Sequence, residues 1–168
     1  SLLRNTSTTG SINFAAKVDF ATGNQAGSVA VGDIDGDGKL DVLVSVRGTD
    51  NVSVFRNTST AGTISFATKV EIATGSEPWG LSIGDINGDG KPDISVARRG
   101  YNIVSLFRNT SPIGSIGFAA KVDFAAGADP FVAAIGDLDG DGKPDLAIAS
   151  LSDNTVSVLH NIDLPVIA

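Results

Sequence analysis

Three stretches decide how this chain reads: Asp33-Ile-Asp-Gly-Asp-Gly-Lys-Leu-Asp41, Asp85-Ile-Asn-Gly-Asp-Gly-Lys-Pro-Asp93 and Asp137-Leu-Asp-Gly-Asp-Gly-Lys-Pro-Asp145. Oxygen side chains stand at positions 1, 3, 5 and 9 of each, and glycines at positions 4 and 6. A hard cation such as Ca²⁺ takes about six to eight oxygen ligands at about 2.3–2.6 Å. Alternate residues of a short loop supply them only if the backbone curls, and glycine reaches positive φ without a Cβ clash. Position 7 (Lys39, Lys91, Lys143) is expected to offer its carbonyl while its ammonium faces water. Without a cation the crowded carboxylates repel one another, so the pattern reads as a metal site repeated three times. An EF-hand shares the opening of this loop but needs a bidentate Glu at position 12 and a helix on each side. Position 12 here is Val44, Val96 and Ile148, and the flanks have β character.

Outward from the loops, the chain repeats. Asp33, Asp85 and Asp137 are 52 residues apart, as are Arg4-Asn-Thr-Ser, Arg56-Asn-Thr-Ser and Arg108-Asn-Thr-Ser, and Phe14-Ala, Phe66-Ala and Phe118-Ala. The chain aligns on itself without a gap as one segment, 1–168, holding repeats 1–52, 53–104 and 105–156 and a partial repeat 157–168. In the central unit, Gly80–Asp85 reads as a first strand, Asp93–Arg98 as a second and Ile103–Arg108 as a third. Ile116–Phe124 reads as a fourth and longest strand. Turns at Gly100-Tyr-Asn102 and Asn109–Gly114 separate them. A period of this length holding four strands suits a propeller blade. The expected fold is therefore all-β: β-propeller blades of four antiparallel strands in three 52-residue repeats.

Labelling the strands of a unit A to D, the order along the chain is C-D, A-B-C-D, A-B-C-D, A-B-C. Propellers have about four to eight blades, so three blades imply a partial propeller or a ring completed by oligomerisation. The tail Leu164–Ala168 leaves the repeat pattern and reads as an end of the array.

Composition agrees. The 168 residues hold 20 glycines, no cysteine and no methionine, and are 42% hydrophobic, in short Val/Ile/Ser/Phe strings. No apolar run is long enough for a membrane span, and cysteine usage says nothing about compartment. Net charge is −7, but 11 of the 19 acids lie in the three loops. Three divalent ions would bring the total to about −1. The acidity is thus a metal-binding charge rather than a signal for a basic partner, and nucleic acid is not an expected ligand.

The Asp-x-Asp-Gly-Asp-Gly-x-x-Asp loop between short strands, entered by Gly-Asp at 32–33, 84–85 and 136–137, resembles the FG-GAP/VCBS repeat family. That family includes the propeller head of integrin α chains and many secreted bacterial proteins. The resemblance implies three Ca²⁺ sites. The first set of ligands is Asp33, Asp35, Asp37, the Lys39 carbonyl and Asp41, and the second is Asp85, Asn87, Asp89, the Lys91 carbonyl and Asp93. The third is Asp137, Asp139, Asp141, the Lys143 carbonyl and Asp145. Asn87 ligates with one charge fewer, which makes the second site the weakest.

Tight loops rich in ligands suit a structural ion that ties calcium to stability. Catalysis needs an open coordination position and an acid–base partner. The only histidine, His160, stands where other repeats have Arg and reads as a surface residue. No nucleophile–base pair is evident, so the chain reads as no enzyme. Recognition should then sit where the repeats differ. The A–B and C–D loops share one face, and the D–A and B–C loops share the other. On that second face Trp79, Arg98, Arg99, Tyr101 and Phe131 suit a protein or carbohydrate ligand through stacking and charged hydrogen bonds. Trp79 and Phe131 could equally fill space near the axis. Asn5, Asn51, Asn57 and Asn109 head N-x-Ser sequons but read as turn residues.

The reading is an extracellular, secreted or cell-surface Ca²⁺-binding β-propeller module for adhesion or ligand recognition. It inserts in no membrane, and it is a homo-oligomer or part of a longer propeller chain. Rival readings are a self-assembling structural unit such as a homodimeric six-bladed ring, a propeller lectin, and a non-catalytic arm of a carbohydrate-active enzyme.

Overall fold

A computed structural model describes residues 1–162, and the expectation for the tail at 164–168 lies outside the described residues. Eleven strands form three antiparallel sheets. The first sheet runs in the order β1 (Ala26–Gly32), β2 (Asp41–Val46), β3 (Asn51–Phe55), β4 (Val70–Ala73). The second follows as β5 (Pro78–Gly84), β6 (Asp93–Arg98), β7 (Ile103–Phe107), β8 (Val122–Ala125). The third has three strands among the described residues: β9 (Pro130–Gly136), β10 (Asp145–Ser150) and β11 (Thr155–Leu159). Before them, residues 2–18 fold back on themselves through isolated bridges at Leu2–Val18, Asn5–Phe14 and Thr8–Ser11. One 3₁₀ turn, Arg47–Thr49, is the only helical segment among the described residues.

Each sheet is a simple meander because each connection is a short turn that the sequence marks. The residue before β3, β7 and β11 is Asp50, Asn102 or Asn154, each at a φ of 53–56°. Asp and Asn tolerate this left-handed conformation better than other side chains. The sheets follow one another face to face, with β5 packed against both β1 and β9, and they do not close on themselves.

The cores lie between sheets. Leu43, Val52 and Val54 of the first sheet meet Leu81, Ile94, Val96 and Phe107 of the second. Val104 of the second meets Ala133, Leu146 and Ile148 of the third. Burying each large side chain contributes about 1.5–3 kcal/mol, so the faces of these strands, not their propensities, hold the stack together. Serines such as Ser45 and Ser53 also sit inside. Ser45 Oγ accepts from Ser28 N at 2.8 Å and donates to the Trp79 carbonyl at 2.6 Å, a bond between the first two sheets.

The second strand of the central unit lies where expected. The first starts earlier, at Pro78, and the third ends at Phe107. The fourth differs more. Instead of one long strand over 116–124, Phe118 makes a lone bridge to Asn109 and the strand proper is Val122–Ala125. Pairing slips by one residue between Leu106–Val122 and Asn109–Phe118. The same slip separates Val54–Val70 from Asn57–Phe66, and Leu2–Val18 from Asn5–Phe14. An extra residue of this kind is a bulge that bends the strand, and the local Ala-Ala-Lys or Ala-Thr-Lys carries no glycine to signal it.

Candidate metal centre

The three acidic loops join the first and second strands of each sheet, and their glycines do what the spacing requires. Gly36, Gly38, Gly88, Gly90, Gly140 and Gly142 all lie at φ of 71–88°. A side chain at these positions would be strained. The curl turns backbone N–H groups inward onto the carboxylates. In the first loop Asp33 accepts from Asp37 N at 3.1 Å and Gly38 N at 2.9 Å, and Asp37 accepts from Lys39 N at 2.9 Å. In the second, Asp85 accepts from Asp89 N and Gly90 N, and Asp89 from Lys91 N. In the third, Asp137 accepts from Gly140 N and Gly142 N, and Asp141 from Lys143 N.

Position 9 closes each loop from beneath. Asp41 accepts from Ile34 N at 3.0 Å and Asn57 N at 2.7 Å, Asp93 from Ile86 N and Asn109 N, and Asp145 from Leu138 N and Asn161 N. Each carboxylate oxygen has a second lone pair left for a cation. Burial pushes Asp41 and Asp93 above the ordinary value of 3.8, with the neighbouring loop carboxylates adding to the rise. The backbone N–H of Asn161, then that of Leu138, pull Asp145 below that value. Its side chain is as inaccessible as theirs, and His160 nearby adds to the fall.

Oxygens of Asp33, Asp35 and Asp37 converge within 4.8 Å of one another in the first loop, as do those of Asp137, Asp139 and Asp145 in the third. In the second loop Asn87 stands at position 3; its Oδ1 accepts from Asp89 N, and its Nδ2 donates to Asp89 Oδ2 at 3.2 Å. Asp35 supplies a test of whether a cation fits. Its Oδ2 is buried without a hydrogen-bond partner, and the nearest positive group is Arg56 Nη1 at 3.7 Å. A buried carboxylate oxygen left unpaired is costly. A divalent cation among these oxygens would remove that cost, and an all-oxygen donor set is the one Ca²⁺ prefers.

Several groups around the loops carry no sequence signal of their own. His160 is half exposed, yet its Nε2 lies 2.7 Å from Asp139 Oδ2, and with Asp141 it forms a second cluster beside the third loop. The 52-residue alignment could have found it, because Arg56, its counterpart, reaches Asp35 in the same way. Lys91 does not point to water: its Nζ donates to the Ser111 carbonyl at 2.9 Å. Asn109 is both the expected turn residue, its Oδ1 accepting from Ser111 N at 2.8 Å, and a buried clamp. Its Nδ2 donates to the Ile34 carbonyl at 2.9 Å and the Pro92 carbonyl at 3.0 Å, joining the first loop to the second. Asn161 repeats the arrangement on Ile86 and Pro144. Between the first two loops and Ser111-Pro112-Ile113 lies a cleft of about 570 Å³.

The opposite face gathers the varied residues. Trp79, Arg99 and Tyr101 line an open depression of about 560 Å³ with Glu77 and Asp129. Arg47 and Arg99 lie 4.1 and 4.9 Å from the centre of the Trp79 ring, and Phe131 packs against it at 5.5 Å. Arg98 is not offered to solvent. It is buried, its Nε donates to the Ser76 carbonyl at 3.1 Å, and it pairs with Asp123 at 3.7 Å while its guanidinium faces Tyr101.

No curated protein matches the chain. Residues 1–44, 43–96 and 85–148 each match the FG-GAP-like repeat, every segment spanning at least one of the acidic loops. Three matches covering 1–148 of 168 residues leave little of the sequence outside the pattern. The chain belongs to the FG-GAP-like repeat family.

Proposed function

We propose that this chain is a Ca²⁺-stabilised β-propeller module that acts outside the cell in adhesion or ligand recognition, without catalysis. The observation that carries the reading is the unpartnered, buried Oδ2 of Asp35 among converging carboxylates, in a loop the chain repeats three times. Asp33, Asp35, Asp37 and Asp41 would hold the first ion, Asp85, Asn87, Asp89 and Asp93 the second, and Asp137, Asp139, Asp141 and Asp145 the third, with the position-7 carbonyls completing each set. The ion would supply charge neutralisation and a cross-link at the turn between the first two strands of each blade.

The stacking of successive sheets, with β5 between β1 and β9, supports blades set around an axis. Recognition is assigned to the face opposite the metal loops. Trp79, flanked by two guanidinium groups beside Tyr101, has the ring faces and fixed donors that a carbohydrate or protein ligand uses. Titration calorimetry with CaCl₂ tests the metal part: three ions per chain are expected, and two after Asp35→Ala. Binding to immobilised glycans or surface proteins that survives Trp79→Ala would refute the recognition face.

A further inference from the structure

The repeats expose a contact that the chain makes twice inside itself and that, among the described residues, is unmade at both ends of the stack. At the boundary between the first two sheets, a Cβ placed on Gly32 would lie 3.3 Å from Ile83 Cγ2. At the next boundary, a Cβ on Gly84 would lie 2.9 Å from Ile135 Cγ2. These glycines are seats for the isoleucine of the following sheet. Gly136 is the third seat in the series, and nothing lies within 4 Å of a Cβ built there. The residue that would fill it by the 52-residue shift is Val31, which is 58% exposed on the outer face of the first sheet.

The hydrogen-bond clamp breaks off in the same register. Asn109 Nδ2 donates back to the Ile34 carbonyl and Asn161 Nδ2 to the Ile86 carbonyl, 75 residues apart each time. The next acceptor in the series is the Leu138 carbonyl, and the donor left over is Asn57. Asn57 Nδ2 keeps the bond within its own sheet, to the Leu40 carbonyl at 2.8 Å, but makes no bond to a neighbouring loop among the described residues. Exposure follows the same frame. Val29 is 64% exposed where its counterpart Leu81 is 4%, and Val156 is 66% exposed where Val52 is 1%. Leu138 is 58% exposed where Ile34 is 1%. Apolar side chains in one row are thus buried at each internal boundary and bare at the two outer faces.

We propose that a second copy of this chain docks its third sheet on the first sheet, and that the reciprocal contact closes a two-chain ring. The inference rests on the propeller reading above. Val31 then sits on Gly136 of the second copy, and Asn57 donates to the Leu138 carbonyl of the second copy. The occupant is a second copy because both halves of a contact the chain already makes twice are present on it, one at each end. Among the described residues the third sheet also has three strands, while residues 14–20 are a fourth-strand segment outside the three sheets. Paired on β11 of the second copy, Val18 and Phe20 take the places that Val70 and Ile72 hold opposite Val54 and Val52. The limb 2–5, held to 14–18 by isolated bridges only, gives way to β11. A head-to-tail contact of this kind forms a closed dimer when three blades subtend half a turn and an open filament otherwise.

Light scattering after size exclusion in calcium reads the mass. Twice 17.1 kDa is expected. Gly136→Val should keep the fold, since its Cβ meets nothing in a single chain, yet halve the mass by filling the seat of Val31. The chain has no native cysteine, so Val31→Cys chains mixed with Gly136→Cys chains should form a disulfide-linked pair that neither variant forms alone. At the equivalent internal pair the Cβ atoms are 3.3 Å apart, close to the roughly 3.5–4.5 Å that a disulfide spans. A 17.1 kDa species overturns the proposal and leaves a further repeat or another protein to cover these faces. Assemblies larger than a dimer, a Gly136→Val dimer, or no mixed disulfide overturn it equally. Calcium titration of the same samples separates this failure from that of the functional reading, because a monomer that binds three ions refutes only the ring.

Discussion

Replacing Asn109 by Ala removes the clamp between the first two loops and leaves their backbones otherwise intact. Three hydrogen bonds go: Nδ2 to the Ile34 carbonyl, Nδ2 to the Pro92 carbonyl, and Ser111 N to Oδ1 at 2.8 Å. At about 1 kcal/mol net for each, the loss is about 3 kcal/mol. Two features pull in opposite directions. The side chain is buried, so the abandoned carbonyls tend to stay unsatisfied. The cleft lined by Ile34, Pro92 and Ser111 lies beside them, and water entering there restores part of the loss. A range of about 2–4 kcal/mol follows, which for a domain of this size is a fall in Tm of about 4–16 °C. Urea unfolding in chelator, followed by circular dichroism, measures it without a metal contribution. Thr110→Ala at the exposed neighbouring position should stay within about 0.5 kcal/mol of the parent. A loss below about 1 kcal/mol for Asn109→Ala would refute the clamp.

Asn87→Asp gives the second loop the charge count of the other two. It should tighten calcium at that site about tenfold, or ~1.4 kcal/mol, read by titration calorimetry as the disappearance of the weakest of the three events. Gly84→Val places a Cβ 2.9 Å from Ile135 Cγ2, and overpacking of this sort costs about 1–3 kcal/mol, measurable as a lower urea midpoint. The pH profile of the calcium-free protein follows from its carboxylates. Folded Asp41 and Asp93 hold their protons above the ordinary value of 3.8. The folded state therefore binds more protons than the unfolded one from that value up to the raised ones, and stability falls as pH rises through this window. Asp19, Asp123, Asp129 and Asp145 titrate below 3.8 and make stability rise with pH up to that value. The calcium-free optimum should lie near pH 4, and excess calcium should abolish the fall above it. A calcium-free profile that climbs from about pH 4 to pH 7 contradicts the assignment.

What could be read from the residues divides along a physical line. The loops were legible because two chemical requirements, oxygens at alternate positions and positive φ at the glycines, leave their mark on side-chain identity. Gly36, Gly38 and their counterparts met that requirement. The order of strands was legible because short apolar strings alternate with Asp, Asn and Gly turns at a fixed period. The bulge after Asn109 was not, because a one-residue slip between Phe118 and Val122 needs no special residue. The clamp of Asn109 on a carbonyl 75 residues away was hidden for a similar reason, since a backbone acceptor has no side-chain signature. Arg98 looked like a surface group because charge is usually solvated. The fold instead surrounds it with the Ser76 carbonyl, Asp123 and the ring of Tyr101.

The three loops should hold calcium, and the fold should depend on it. Scanning calorimetry in excess calcium and in chelator tests this most directly. At a free concentration of about 100 times Kd, each occupied site adds about 2.7 kcal/mol, so three sites should raise Tm by well over 10 °C. Asp35→Ala should forfeit about a third of the rise. An unfolding transition that chelator leaves where it was would contradict the account.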